Sequence, residues 1–184
     1  MLIGLTGTPG TGKTSVSKFL ERKKNWKVIH LNDLIKEEHL YTEIDEERDA
    51  VIADMELVRQ RLAEIVSGRE NEVIILDSHL AHYIADIVII LRAYPPELKM
   101  RLKARRYSEE KIRENIEAEA LDVILVEAFE WCEKVFEIDT TGKSIEETGQ
   151  DLEKIIDHIL SGNEEELSEY EPGYINWIDL VPDY

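Results

Sequence analysis

Short continuous apolar runs alternate along the chain with longer stretches in which apolar residues recur every three or four positions, a rhythm that predicts strands and helices in turn. The runs are residues 1–6 (MLIGLT), 26–31 (WKVIHL), 72–77 (EVIILD), 84–92 (IADIVIILR) and 135–138 (VFEI). Helical spacing predicts helices over 15–23, 34–39, 48–66, 97–106, 108–133 and 144–160. In the third of these, Val51, Met55, Val58, Leu62 and Ile65 share a face, and Ser67-Gly68 ends it. Residues 41–49 read as a polar, acidic loop, and the excursion between the second and third strands leaves room for a substrate lobe. Strands alternating with helices predict an α/β fold, a parallel sheet of five strands with helices on both faces.

Residues 7–14, GTPGTGKT, match the phosphate-binding loop G-x-x-x-x-G-K-[ST] at every fixed position, between a predicted strand and a predicted helix. Gly7, Gly10 and Gly12 permit the backbone angles that turn successive N–H groups inward around phosphates at a helix N-terminus. Lys13 supplies a point charge, Thr14 a hydroxyl for Mg²⁺, and Ser15 a donor for an α-phosphate. The plain alternative, a Gly-rich turn with a chance Lys-Thr, does not account for the whole pattern in this context.

Asp77 ends the third run and is placed to reach a Mg²⁺ beside Thr14; alternatively it caps the turn that follows. His79 shares that loop and can orient a water, or is simply solvated. His82 has a weaker claim, and a metal triad with the two histidines has little support from the spacing. After the fourth run, Arg92, Lys99, Arg101, Lys103, Arg105, Arg106, Lys111 and Arg113 stand against only Glu97, Glu109 and Glu110. Arginines on a closing segment suit the charge of phosphoryl transfer, so this stretch reads as a lid or, alternatively, as a solvated basic helix face.

Composition bounds the rest. At 184 residues the chain suits one domain with a small insert. Cys132 is the single cysteine, which excludes a disulfide framework and a thiolate metal cluster. No apolar run approaches the roughly 20 residues of a membrane span, and no basic n-region opens the chain, so a soluble intracellular protein is expected. The 22 basic against 40 acidic residues give a formal net charge of -18. That disfavours extensive nucleic-acid binding and suits a basic protein partner, or serves solubility. No Lys or Arg follows Lys154, whereas eight carboxylates do. Glu164, Glu165, Glu166, Glu169 and Glu171 with Tyr170, Tyr174 and Trp177 read as an acidic and aromatic contact strip, or as a tail that docks Trp177 on its own domain.

The loop GTPGTGKT, the segment HLNDLIKEEHLY at 30–41, the D-x-H of Asp77 and His79, and VIILRAYPPELKMRLKARRY at 88–107 together resemble the adenylate kinase superfamily. Within it the chain is most similar to the atypical adenylate kinases of archaea and eukaryotes, whose eukaryotic members include the coilin-interacting nuclear ATPase. The resemblance covers residues 1 to about 160. It implies a P-loop nucleoside monophosphate kinase fold over 1–160, with a monophosphate-binding insert at about 30–53 and a lid at about 104–114, followed by an acidic extension at 161–184. It implies a Mg²⁺-dependent kinase with ATPase activity, acting in late maturation of the small ribosomal subunit beside a basic platform ribosomal protein. Gly10, Gly12, Lys13, Thr14 and Ser15 would bind ATP phosphates, Arg105 would contact ATP from the lid, and Asp77 and His79 would serve the metal and hydrolysis. Arg48 and Arg59 are candidates for the monophosphate by location only. The alternative is a nucleotide-gated ATPase that releases a basic ribosomal protein. The location implied is cytoplasmic in an archaeon, nuclear and cytoplasmic in a eukaryote.

Overall fold

In chain order the elements are β1 (Leu2–Thr6), α1 (Lys13–Lys24), β2 (Lys27–His30), α2 (Leu31–Glu37), β3 (Tyr41–Asp45), β4 (Ala50–Ala53), α3 (Met55–Val66), β5 (Ile74–Asp77), β6 (Ile87–Arg92), α4 (Pro95–Ala104), α5 (Glu109–Ala120), α6 (Val123–Trp131), β7 (Lys134–Asp139) and α7 (Ile145–Ser161). The structure, a computed structural model, describes residues 1–24, 26–45, 50–69 and 71–180. Five strands pair in the order β2-β5-β1-β6-β7, every pairing parallel.

The continuous apolar runs exist because helices cover both faces of this sheet. Successive side chains point to opposite faces. Ile3, Leu5, Ile75, Ile89 and Leu91 therefore meet Val16 and Leu20 of α1 and Leu152, Ile155 and Ile156 of α7. On the other face Ile74 and Leu76 pack with Leu31, Ile35, Val58 and Leu62 of α2 and α3, while Val88 and Ile90 pack with Leu125 and Ala128 of α6. Each buried valine, leucine or isoleucine among these contributes about 1.5–3 kcal/mol.

Three local expectations fail, each for a physical reason. Residues 41–49 are not simply a polar loop: Tyr41–Asp45 is a strand, paired antiparallel with Ala50–Ala53. The β-branched Thr42, Ile44, Val51 and Ile52 favour extended backbone, and the surrounding acidic residues obscure that in the sequence. The helix expected from 48 starts at Met55, because the Asp54 carboxylate accepts from the Glu56 and Leu57 amides at 3.1 and 3.2 Å. The helix expected over 108–133 breaks into α5 and α6 at Asp122, whose φ is 55° and whose carboxylate turns to Arg92. Arg48 lies outside the described residues.

The tail does not hang free. Leu167 and Tyr170 enter the same core as α1 and α7, and the Tyr170 hydroxyl donates to Asp151 at 2.9 Å. Lys134, Lys154 and His158 pair with Glu164, Glu169 and Glu166. The contact strip expected there is largely turned onto the protein itself, and the Trp177 ring stands 5.1 Å from the Arg92 guanidinium.

Arg92 is also a correction. Counted with a basic lid, it sits instead at the end of β6 with 2% exposure. Its guanidinium donates to Glu119, Glu137 and Asp122. The fork geometry of arginine suits three carboxylates at once, and burial without them would be prohibitive. Replacing it with methionine would leave Glu119 and Glu137 buried without their counter-charge. Arg92→Met should lower unfolding free energy by about 3–5 kcal/mol in urea titrations; a loss below 1 kcal/mol would show that the carboxylates are relieved by water.

Candidate active site

The register of the strands builds the site. Asp77, the last residue of β5, is level with Leu5 of β1 on one side and with His30 of β2 on the other. The chain therefore leaves β1, β2 and β5 at the same C-terminal end of the sheet, where the neighbours of the central strand diverge.

The turn after β1 is the 7–14 loop. Gly7 has a φ of 132°, and a Cβ there would lie 2.3 Å from the Leu91 carbonyl oxygen. Gly10, at φ 98°, packs so closely on α4 that a Cβ would meet Leu98 at 2.8 Å. Only glycine fits either place. The Thr8 carbonyl accepts from the Thr11 amide at 3.2 Å and the Thr11 hydroxyl at 2.9 Å, while the Thr8 hydroxyl donates to Glu119. Helix α1 then begins at Lys13, with the Ser15 and Val16 amides donating to the Gly12 carbonyl.

Lys13 folds over this loop, its Nζ donating to the Gly7 carbonyl at 2.6 Å and the Thr8 carbonyl at 3.1 Å. Burial pushes its pKa down to about 8; the nearby Asp77 and Glu119 carboxylates oppose that shift and Arg105 adds to it. Asp77 Oδ2 accepts from Ser17 Oγ at 3.0 Å and stands 2.9 Å from His30 Nδ1. Its Oδ1 makes no hydrogen bond among the described residues. The turn after β5 is capped by Ser78, whose Oγ accepts from the Leu80 amide at 3.1 Å and donates to Asn32 at 2.9 Å. Asp77 is thus held sideways, with one oxygen fixed and one left for the cleft. A carboxylate oxygen and the Thr14 hydroxyl are the hard donors that Mg²⁺ prefers, and they line one cleft.

That cleft, of about 310 Å³, is lined by Gly10, Lys13, Thr14, His30, Asp77 and His79, and closed by Arg105 and Tyr107. A second, of about 390 Å³, lies across the loop, where Gly10, Gly12 and Ser15 face Arg101, Arg105, Lys143 and Thr148. Gly10, Gly12 and Arg105 line both.

His79 opens to solvent at the cleft mouth, yet desolvation by the surrounding protein, then the charge of Lys13, push its pKa down to about 4. At neutral pH its imidazole is uncharged and able to accept a proton. His82 is different: it is buried, 3.4 Å from Thr6 Oγ1 and 3.1 Å from Glu127, and supports the loop from beneath. No cluster of three metal-binding side chains occurs among the described residues, so a triad with both histidines is not formed.

The basic stretch disperses. Arg92 is core, Arg101 is held by the Thr140 carbonyl at 2.8 Å and by Glu97, and Lys103 pairs with Glu109. Arg105, in the turn between α4 and α5, is exposed and reaches both clefts.

Comparison with known proteins agrees with this geometry. A family model described as an AAA domain matches residues 3–122. A protein of Methanosarcina barkeri named "Putative adenylate kinase" is 88% identical over 182 residues, covering 99% of this chain and all of the relative. Its namesake in Methanosarcina acetivorans is 70% identical over 186 residues, covering 99% of this chain and all of that relative. The chain belongs to this archaeal adenylate kinase family. Among solved structures, deoxyadenosine kinase from M. mycoides with bound dATP superposes with a TM-score of 0.54 at 16% identity, covering 85% of this chain and all of that one; this likeness concerns the fold.

Two residues of this family member escaped the sequence reading. His30 is found only through the register that sets β2 beside β5. Glu119 left a signal, a carboxylate on the stripe of Ile112 and Ile116, where an apolar residue belongs.

A polyphosphate beside Lys13 would raise its pKa again, so binding should take up part of a proton near pH 8.5 and weaken as the pH climbs further. Calorimetric titrations of ATP in buffers of different ionisation enthalpy should show this uptake, and Lys13→Met should abolish it.

Proposed function

We propose that the protein is a Mg²⁺-dependent nucleoside monophosphate kinase that also hydrolyses ATP, with Gly10, Gly12, Lys13, Thr14, Ser15 and Arg105 holding the ATP phosphates. The observation that carries this reading is the pair of clefts meeting at one loop and sharing Arg105. A transferase needs two anionic substrates on either side of the moving phosphoryl group, whereas a simple hydrolase needs only one.

ATP belongs on the side of Ser15 and Thr148, and the acceptor on the side of His30 and Asn32, which open the segment 30–53. The acceptor phosphate oxygen attacks the γ-phosphorus, the bond to the β–γ bridging oxygen breaks, and ADP leaves. Lys13, the loop amides and Arg105 stabilise charge that spreads over the equatorial oxygens. Bound Mg²⁺ would neutralise phosphate charge, and Thr14 and Asp77 would hold it. With no acceptor present, neutral His79 can orient a water for the same attack. The name carried by the relatives favours AMP as acceptor, and their archaeal sources favour a cytoplasmic setting.

A role in small-subunit maturation belongs to the same reading, as does kinship with the eukaryotic atypical adenylate kinases. Supporting it are the net charge of -18 and the outer face of α6. There Val126, Phe129 and Trp131 are 54%, 58% and 57% exposed, with Glu130 among them and Glu133 just beyond the helix. Such a face suits a basic protein with apolar side chains, as a ribosomal protein awaiting rRNA presents. The same surface serves the second reading, in which hydrolysis releases that partner.

Purified protein with Mg-ATP and each nucleoside monophosphate should yield the diphosphate, read by chromatography, and Lys13→Ala should slow both transfer and hydrolysis by about 10²–10³-fold. Release of phosphate from ATP with the added nucleoside monophosphate left unconverted would replace the kinase with the release ATPase. Asp77→Asn should damage both reactions. His79→Ala should slow hydrolysis more than transfer, since an acceptor phosphate brings its own nucleophile; equal losses would remove the water-orienting role.

A further inference from the structure

Behind the loop runs a continuous chain of polar contacts that ends in the C-terminal segment. The Thr8 carbonyl receives Lys13 Nζ, and its hydroxyl donates to Glu119. Glu119 also accepts from the Ala93 amide at 3.0 Å and from Arg92 Nε at 2.8 Å. Arg92 donates to Glu137, whose other oxygen accepts from the Gly173 amide at 2.7 Å. Over the guanidinium stands the Trp177 ring, with Tyr94 beside it at 6.4 Å.

We propose that the C-terminal segment, through Trp177 and Gly173, positions the phosphate-binding loop by way of Arg92, Glu119 and Thr8, and so sets where Lys13 stands. The proposal rests on reading that loop as the ATP site. Trp177 and Gly173 touch no substrate in this arrangement and are positioning residues.

The physical case has three parts. First, Arg92, Glu119 and Glu137 are buried together, so a shift of one is felt by the others. Removing the indole would admit water to one face of the guanidinium and weaken its grip on Glu119, loosening the hydrogen bond that fixes Thr8. Second, the segment does not need this contact as an anchor, because Leu167 and Tyr170 already hold the tail in the core. Trp177 instead rests on a charge, while its neighbour Tyr174 is 76% exposed. Third, the segment goes on to the lid. Leu180 lines a groove of about 840 Å³ with Pro95, Pro96, Ile112 and Ile116 of α4 and α5, the two helices whose connecting turn carries Arg105. One strap thus braces both the loop beneath the phosphates and the base of the arginine turn above them.

The test measures Mg-ATP affinity by calorimetry, with steady-state kinetics and unfolding curves, on the full chain and its variants, well below the lowest unfolding midpoint. Trp177→Ala should weaken ATP binding by roughly 2- to 30-fold, the range given by couplings of about 0.5–2 kcal/mol, and raise the KM for ATP more than that for the monophosphate. Trp177→Phe, which keeps a ring over Arg92, should recover most of the loss, and Tyr174→Ala should change nothing. Combined with Thr8→Val, Trp177→Ala should cost less than the sum of the two single losses, because both act on one link. Linkage requires the reverse effect as well, so bound ATP should slow hydrogen exchange at the Gly173 amide. A Trp177→Ala protein that unfolds earlier but binds ATP as the parent does would overturn the coupling and leave a packing contact, with the site reading intact. A parent protein that binds no ATP would overturn both.

Discussion

A full positive charge shut away from water at the end of β6 imposes more on this molecule than any other single group. Arg92 must be met by carboxylates wherever it is buried, and they arrive from α5, from β7 and from the turn between α5 and α6. Burial as such pulls its pKa down, yet Glu119, Glu137 and Asp122 outweigh that and hold it above the ordinary arginine value. Meeting it fixes three elements at once. The break at Asp122, the seating of α5 against the sheet and the route of the tail over Glu137 all follow. Because Glu119 has a second oxygen to offer, the same arrangement reaches the phosphate-binding loop through Thr8.

Above that hub the problem is to bind anions on a protein of net charge -18. Bulk charge works against it, and local arrangement prevails. The N-terminus of α1, the Lys13 ammonium and Arg105 supply positive potential at the clefts, where a distant surface carboxylate is screened by solvent. Asp77 lies inside this region, and under the proposed function a Mg²⁺ held there would turn its effect on a phosphate from repelling to holding. The depressed pKa values of Lys13 and His79 come first from burial, with a neighbouring cation adding to each, Arg105 beside Lys13 and Lys13 beside His79.

The basic stretch after β6 differs from its outline in the sequence for a related reason. A run of basic residues need not act together. Arg92 turns inward from the end of β6, while along α4 Arg101 goes to the Thr140 carbonyl and Lys103 to a surface partner, so Arg105 is left lining both clefts. Its place in the short turn between two packed helices gives it room to move without disturbing Leu98, Leu102 and Ile112 beneath.

The sequence alone determined whatever depends on neighbours along the chain. The strand, turn and helix around GTPGTGKT, the five buried strands and the parallel class follow from hydrophobic period and from glycines at fixed offsets, which are local. Asp77 was legible too, as a carboxylate ending an apolar run. The β3–β4 pair was hidden because its extended backbone is stabilised by the partner strand while its charges suggest a loop. Only the tertiary structure decided which distant charges meet: that His30 stands beside Asp77, that Glu119 reaches Thr8, and that Trp177 covers Arg92. Those pairings depend on strand order and register, and no periodicity along one strand records which strand will lie next to it.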